Sequence, residues 1–189
     1  MESVLLVSSS DKGKEAITSA LTSTSYSNIT AAASGSEARR LLCLNEYDLV
    51  IINTPLSDEF GHLISIEATE KSLAGVILLV RQDIADGVSE KVEDYGIVVV
   101  EKPLVKPLFY QALRLVSISS QRIRNLRNEN TRLQTKIEEI RLIDRAKCTL
   151  IQYLNMTEEQ AHKYLERQAM DMRVSKKKIA QRILNAYES

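Results

Sequence analysis

The chain has 189 residues, with 25 Lys and Arg against 25 Asp and Glu, so its formal net charge is zero. At 44% hydrophobic and 26% charged, it has the composition of an ordinary soluble protein, with apolar mass for one large domain or two small ones. No apolar run approaches the roughly 20 residues needed to span a bilayer, no basic segment precedes an apolar stretch as in a secretory signal, and with so few Cys and His no structural zinc site of the Cys/His type is expected.

The expected location is therefore cytoplasmic, without membrane contact, and Cys43 and Cys148 are expected as reduced thiols. The neutral total hides an asymmetry: residues 1–116 carry 10 basic and 16 acidic side chains, a balance of −6, and residues 117–189 carry 15 and 9, a balance of +6. An acidic half joined to a basic half suggests two tasks, the second facing a polyanion.

Five short apolar runs, at 4–7, 29–33, 49–52, 76–80 and 97–100, alternate with helix-like stretches at 12–21, 36–44, 61–73, 85–94 and 108–116. Four of the runs are near-continuous Val, Ile and Leu, as strands buried on both faces should be, and the second is weaker. The alternation predicts a parallel sheet with helices on both sides. In such folds the functional site sits at the carboxyl ends of the strands. All six glycines and all three prolines lie before residue 108, so the remainder is predicted to be helical throughout.

Ile123, Leu126, Asn130, Leu133, Ile137 and Ile140 recur at spacings of 3, 4, 3, 4 and 3, the seam of a coiled coil, and Val116 extends it back one heptad. A seam this narrow calls for a partner helix, and a second copy of the chain is the simplest one. Asn130 at an a position favours a parallel two-stranded register. The flanking charges do not help, because Arg122 would face Arg127 of the partner and Lys136 would face Arg141. Further on, Thr157 with Gln160 forms a capping-box pattern and Ser175 is placed to cap a last helix containing Ile179, Ile183 and Leu184.

The first 116 residues resemble the receiver domain of two-component response regulators, on the residues Val4-Leu-Leu-Val7, Tyr47-Asp-Leu-Val-Ile-Ile52, Pro55-Leu-Ser-Asp-Glu-Phe-Gly61 and Glu101-Lys-Pro103. The resemblance implies a flavodoxin-like (CheY-like) fold with a five-stranded parallel sheet. It also implies a phosphorylation site, and here the chain departs from the pattern. Asn53 replaces the phosphorylated aspartate, Ser8 and Ser9 replace the acidic pair that holds Mg²⁺, Val80 replaces the hydroxyl residue, and only Lys102 remains. The expectation is a degenerate site that cannot be phosphorylated and binds no metal, with Lys102 hydrogen-bonded to Asn53 or nearby carbonyls because a buried ammonium without a partner is costly.

From about residue 140 the chain resembles the ANTAR domain, an RNA-binding output module of bacterial antitermination regulators. The matching residues are Ile143-Asp-Arg-Ala-Lys147, Leu150, Met156-Thr-Glu-Glu-Gln-Ala161, Leu165, Arg167, Ala169-Met170 and Ile179-Ala180. Basic residues that would face RNA are Arg145, Lys147, His162, Lys163, Arg167, Lys176, Lys177, Lys178 and Arg182, with Tyr164 as a stacking aromatic. Tyr153 and Tyr187 could stack too, although each tyrosine also fits the rim of a small helical core.

The organisation expected is a pseudo-receiver at 1–116, a coiled-coil dimerisation helix at 117–142 and an all-α three-helix bundle at 143–189. The function expected is that of a non-enzymatic, cofactor-free antitermination regulator, homodimeric through its coiled coil. The resemblance implies that it acts on leader-transcript hairpins under the control of a regulatory or sequestering protein. A DNA-binding response regulator and a protein-only interaction module are the alternatives.

Overall fold

The computed structural model describes residues 2–22, 24 and 26–187, the side chain of Ser27 excepted. The chain divides into two compact units between Asn125 and Leu126.

In the first unit β1 (Glu2–Ser8), β2 (Tyr26–Ala32), β3 (Leu49–Asn53), β4 (Gly75–Arg81) and β5 (Val98–Lys102) form one parallel sheet in the order β2-β1-β3-β4-β5. Helices α1 (Asp11–Leu21), α2 (Gly35–Leu44), α3 (His62–Lys71) and α4 (Ala85–Val92) connect the strands, and α5 (Lys106–Leu154) follows the last. Because helices cover both faces, the central strands are buried over most of their length: every residue of β3 is buried, as are Val4, Leu5, Leu6 and Val7 of β1. Side chains alternate between two cores. Leu5, Val7, Val50, Ile52, Leu78 and Val80 belong to one, and Val4, Leu6, Leu49, Ile51, Ile77 and Leu79 to the other. The weak second run is an edge strand, paired on one side only with β1, which tolerates its Asn and Thr.

α5 starts with Pro107 in its first turn, where the missing amide hydrogen costs nothing. Its first turns pack Phe109, Ala112, Leu113 and Val116 onto the sheet. Val116 is only 3% exposed, so the expectation that it extends the coiled-coil seam is corrected: a seven-residue step from Ile123 does carry it there by sequence, but it fills the core beside Gly75. Arg124 pairs with Asp48 at 3.0 Å and ties the next turn of α5 to the strand β3 approach.

The β3–α3 connection is clasped to α2. Asp58 accepts from the Gly35 and Ser36 amides at 2.8 and 2.9 Å and from the Ser36 hydroxyl at 2.8 Å, which holds its carboxyl down at about 2. Arg39 pairs with both Glu59 and Glu67.

In the second unit the C-terminal part of α5 packs with α6 (Glu158–Asp171) and α7 (Lys176–Tyr187) around Ala146, Leu150, Ala161, Leu165, Ile179, Ala180 and Leu184. The capping box forms as the sequence indicates: the Thr157 hydroxyl accepts from the Gln160 amide at 3.2 Å, and the Gln160 side chain accepts from the Thr157 amide at 2.9 Å. Ser175 accepts from the Lys178 amide at 3.3 Å. Asn155 and Arg173 take positive φ values of 51° and 52° where α5 and α6 end.

Two outcomes follow for the first unit. A Cβ on Gly75 would collide with Val116 and lie 2.7 Å from Ser120 Oγ, so Gly75→Ala is expected to lower stability by about 1–3 kcal/mol in chemical unfolding, with Val116→Ala in the same chain recovering part of the loss. Asp58 titrates below its ordinary 3.8 in the folded chain, so its contribution is complete above that value and disappears as pH falls towards 2. Asp58→Asn should therefore flatten the thermal unfolding midpoint between pH 4 and 2.

Candidate functional site

The carboxyl ends of β1, β3 and β5 bring Ser8, Ser9, Asn53 and Lys102 together. The Lys102 ammonium donates to Asn53 Oδ1 at 3.1 Å and to the Thr54 carbonyl. The Asn53 amide group donates to Ser8 Oγ at 3.0 Å, and Ser8 Oγ donates to the Ser10 carbonyl at 3.1 Å. This is the neutral network that the sequence suggested for Lys102. Ser9 Oγ turns to the Pro55 carbonyl at 3.1 Å. Helix α1 approaches closely because residue 13 is glycine: a Cβ there would strike the Asn53 amide. Burial, with Arg81 nearby, lowers the Lys102 ammonium below its ordinary value.

Val80 does not join this group. Asn53 registers with Leu79 on β4, and the Val80 side chain, one residue on, is buried in the opposite core. No hydroxyl therefore faces the site from this position.

A working receiver of this fold holds Mg²⁺ on carboxylate oxygens, and the residues present do not fit that ion. The strand-end side chains are a serine pair and an amide, their oxygens already engaged in the network above, and among the described residues no group of three His, Cys, Asp or Glu could hold a metal.

The second unit carries the basic side chains, and its geometry sorts them. Lys147 on α5, its side chain 16% exposed, is held by Asp144 at 2.8 Å and Glu158 at 3.3 Å. Those carboxylates raise its pKa and fix the corner between α5 and α6. Glu166 collects Lys176 at 2.6 Å and His162 at 3.3 Å, and its own pKa is lowered, first by the hydrogen bond from Lys176. Lys163 pairs with Glu159 one turn away at 2.6 Å. The Arg182 guanidinium contacts Met172 Sδ at 3.0 Å. Arg145 is exposed on α5 and has a partner of its own.

Arg167, Lys177 and Lys178 are exposed, as is Arg173, which the sequence reading passed over. Its position after α6, beside the Lys run that opens α7, is the signal that could have marked it. Tyr164 and Arg167 share a groove of about 440 Å³ with Leu154, Asn155, Met156, Gln160 and Lys163. Tyr153 and Tyr187 pair with each other, ring centroids 5.3 Å apart and tilted by 36°.

Along the middle of α5, Ile123, Leu126, Leu133, Ile137 and Ile140 are 50–59% exposed, and Asn130 lies among them, also exposed. No helix of the described residues is long and apolar enough to cross a membrane.

Residues 131–184 match the ANTAR domain. The chain is 31% identical over 163 residues to the transcriptional regulatory protein PdtaR of Mycobacterium tuberculosis, covering 84% of this chain and 78% of that one. Among solved structures, the signal receiver domain of an HD-domain-containing protein from Pseudomonas fluorescens superposes with a TM-score of 0.59 at 24% identity, over 66% of this chain and 92% of its own. A response regulator receiver domain protein from Clostridium thermocellum gives 0.58 at 17%, over 65% and 99%. These two likenesses fix the fold of the first unit as that of a receiver. With that fold ahead of an ANTAR domain, and a transcriptional regulator related to it along most of both chains, this chain belongs to the ANTAR response regulators.

Proposed function

We propose that this transcriptional regulator acts by antitermination: its ANTAR unit binds hairpins in leader RNA, and its receiver takes no phosphoryl group. The working segments are a pseudo-receiver at 1–116, a dimerisation helix at 117–142 and an RNA-binding domain at 143–189. The observation that carries the reading is the set of exposed cations Arg167, Arg173, Lys177 and Lys178, which have no carboxylate partner among the described residues, with Arg167 lining the groove that holds Tyr164. Unpaired bases in a hairpin loop stack on an aromatic ring, and the phosphates flanking them need cations that are not already neutralised.

Lys147, Lys163, Lys176 and His162 stand near acidic residues, so in this reading they hold the fold or the rim and contribute less to the salt dependence. Three Lys at the start of α7 oppose the helix dipole, and Glu166 relieves that for Lys176 alone, leaving Lys177 and Lys178 for phosphate.

The exposed α5 stripe supports self-association. Five large apolar side chains in heptad spacing with Asn130 among them are covered when two α5 helices pair, and each dimer then offers two RNA-binding faces to paired hairpins. Control would come from a protein partner, because Asn53 cannot form an acyl phosphate.

The direct test is fluorescence anisotropy on RNA carrying two hairpins, against duplex DNA of equal length, as a function of salt. Hairpin RNA is expected to bind more tightly, and Lys177→Gln and Lys178→Gln each to reduce the slope of log K against log salt by about 1, while Lys163→Gln changes it less. Leu133→Glu should give a monomer in sedimentation and bind the two-hairpin RNA at least tenfold more weakly, with single-hairpin affinity unchanged. Preference for duplex DNA would overturn the RNA assignment. Incubation with acetyl phosphate and Mg²⁺ should leave the intact mass unchanged; a gain of one phosphoryl group on a first-unit aspartate would overturn the pseudo-receiver reading.

A further inference from the structure

The pocket at the carboxyl end of the sheet, about 410 Å³, is lined by Ser9, Ser10, Asn53, Thr54 and Lys102 on its polar side, with Ile17, Leu79 and Leu104 among its apolar walls. We propose that it is a receptor site for a small organic carboxylate with an apolar tail, the carboxylate held by Lys102 and Ser10 and the tail laid against Ile17, Leu79 and Leu104.

Charge is the first argument. In a working receiver the conserved lysine faces carboxylates; here its two acceptors are an amide oxygen and a backbone carbonyl, both neutral. An ammonium has three N–H donors, and these two bonds leave one to give. Lys102 forms no ion pair among the described residues, and the nearby Arg81 on the neighbouring strand is paired with Asp83 at 3.0 Å, so no carboxylate is left to balance Lys102 from there. The half-buried site is thus one charge short of balance, and an anion supplies it. Burial and Arg81 together lower the Lys102 pKa, the direction expected of a cation lacking a counter-charge.

Donors are the second argument. Ser10 Oγ accepts from the Gly13 amide at 3.2 Å, which leaves its own proton to donate, and it stands at the start of α1, where the helix dipole also favours an anion. Neither carboxylate adjacent in sequence lines the pocket: Asp11, next to Ser10, is 93% exposed and turned to Lys14 at 3.5 Å, and Glu101, next to Lys102, is exposed.

The walls select the rest of the ligand. Inorganic phosphate would meet Lys102 but leave Ile17, Leu79 and Leu104 uncovered, whereas an aliphatic acid of about six to ten carbons covers them, in the usual proportion of apolar wall to a few fixed polar groups. The inference goes beyond the antitermination reading and does not depend on RNA binding. It gives the unphosphorylatable receiver a chemical input of its own.

The test uses the full chain in ¹H–¹⁵N NMR titrations with hexanoate, 1-hexanol and inorganic phosphate. Hexanoate is expected to shift the Gly13, Asn53 and Lys102 amides with a Kd on the order of 1 mM, and hexanol and phosphate to bind at least tenfold more weakly. Lys102→Gln should weaken hexanoate at least tenfold. Ala16→Phe, a change at an exposed position on the pocket wall, should abolish binding with the spectrum otherwise preserved; it and the hexanol comparison decide the matter if Lys102→Gln does not fold. Equal affinity for hexanol, hexanoate binding that survives Ala16→Phe, or no shift up to about 50 mM hexanoate would each overturn the proposal.

Discussion

The hydrogen bond from the Lys102 ammonium to the Asn53 side-chain oxygen organises the carboxyl end of the sheet. Through the Asn53 amide it continues to Ser8 and then to the Ser10 carbonyl, so one chain of hydrogen bonds from a single cation through neutral acceptors links β5, β3, β1 and the start of α1. Each acceptor answers a donor that would otherwise be buried without a partner. Gly13 belongs to the same arrangement, since any side chain there would strike the Asn53 amide. The end of the sheet that does chemistry in an ordinary receiver is here tied together by these hydrogen bonds.

The second unit shows how little a count of basic residues says about binding. Lys147 and Lys176 have the charge of an RNA contact and the neighbours of a structural clamp: one holds Asp144 and Glu158, the other Glu166. Arg167, Lys177 and Lys178 have no such neighbour among the described residues, which is why the proposed RNA contact rests on them.

Much of this was legible in the sequence. Strands β1, β3, β4 and β5 are runs of Val, Ile and Leu because both their faces are covered, and Thr157 with Gln160 announced the start of α6 through a pairing that is local along the chain. Asn53, Ser8, Ser9 and Lys102 could be brought together because strand ends in a parallel sheet converge. What could not be read depends on contacts distant along the chain. Val116 continues the heptad by spacing, and nothing near it in sequence reveals that Gly75 makes room for it. Glu158 lies eleven residues from Lys147, beyond the i, i+4 reach that made Glu159–Lys163 foreseeable. Val80 stands at the right strand end, but which face it takes follows from the register of β4 on β3.

Helix α5 runs for 49 residues, yet only its ends belong to a core; the stretch bearing the apolar stripe is bare in a single chain. A helical segment without packing is marginally stable in water, so its order and the covering of its stripe are one equilibrium. If two copies pair along this stripe, as proposed, mass action makes the stiffness of this connector depend on the concentration of the protein itself.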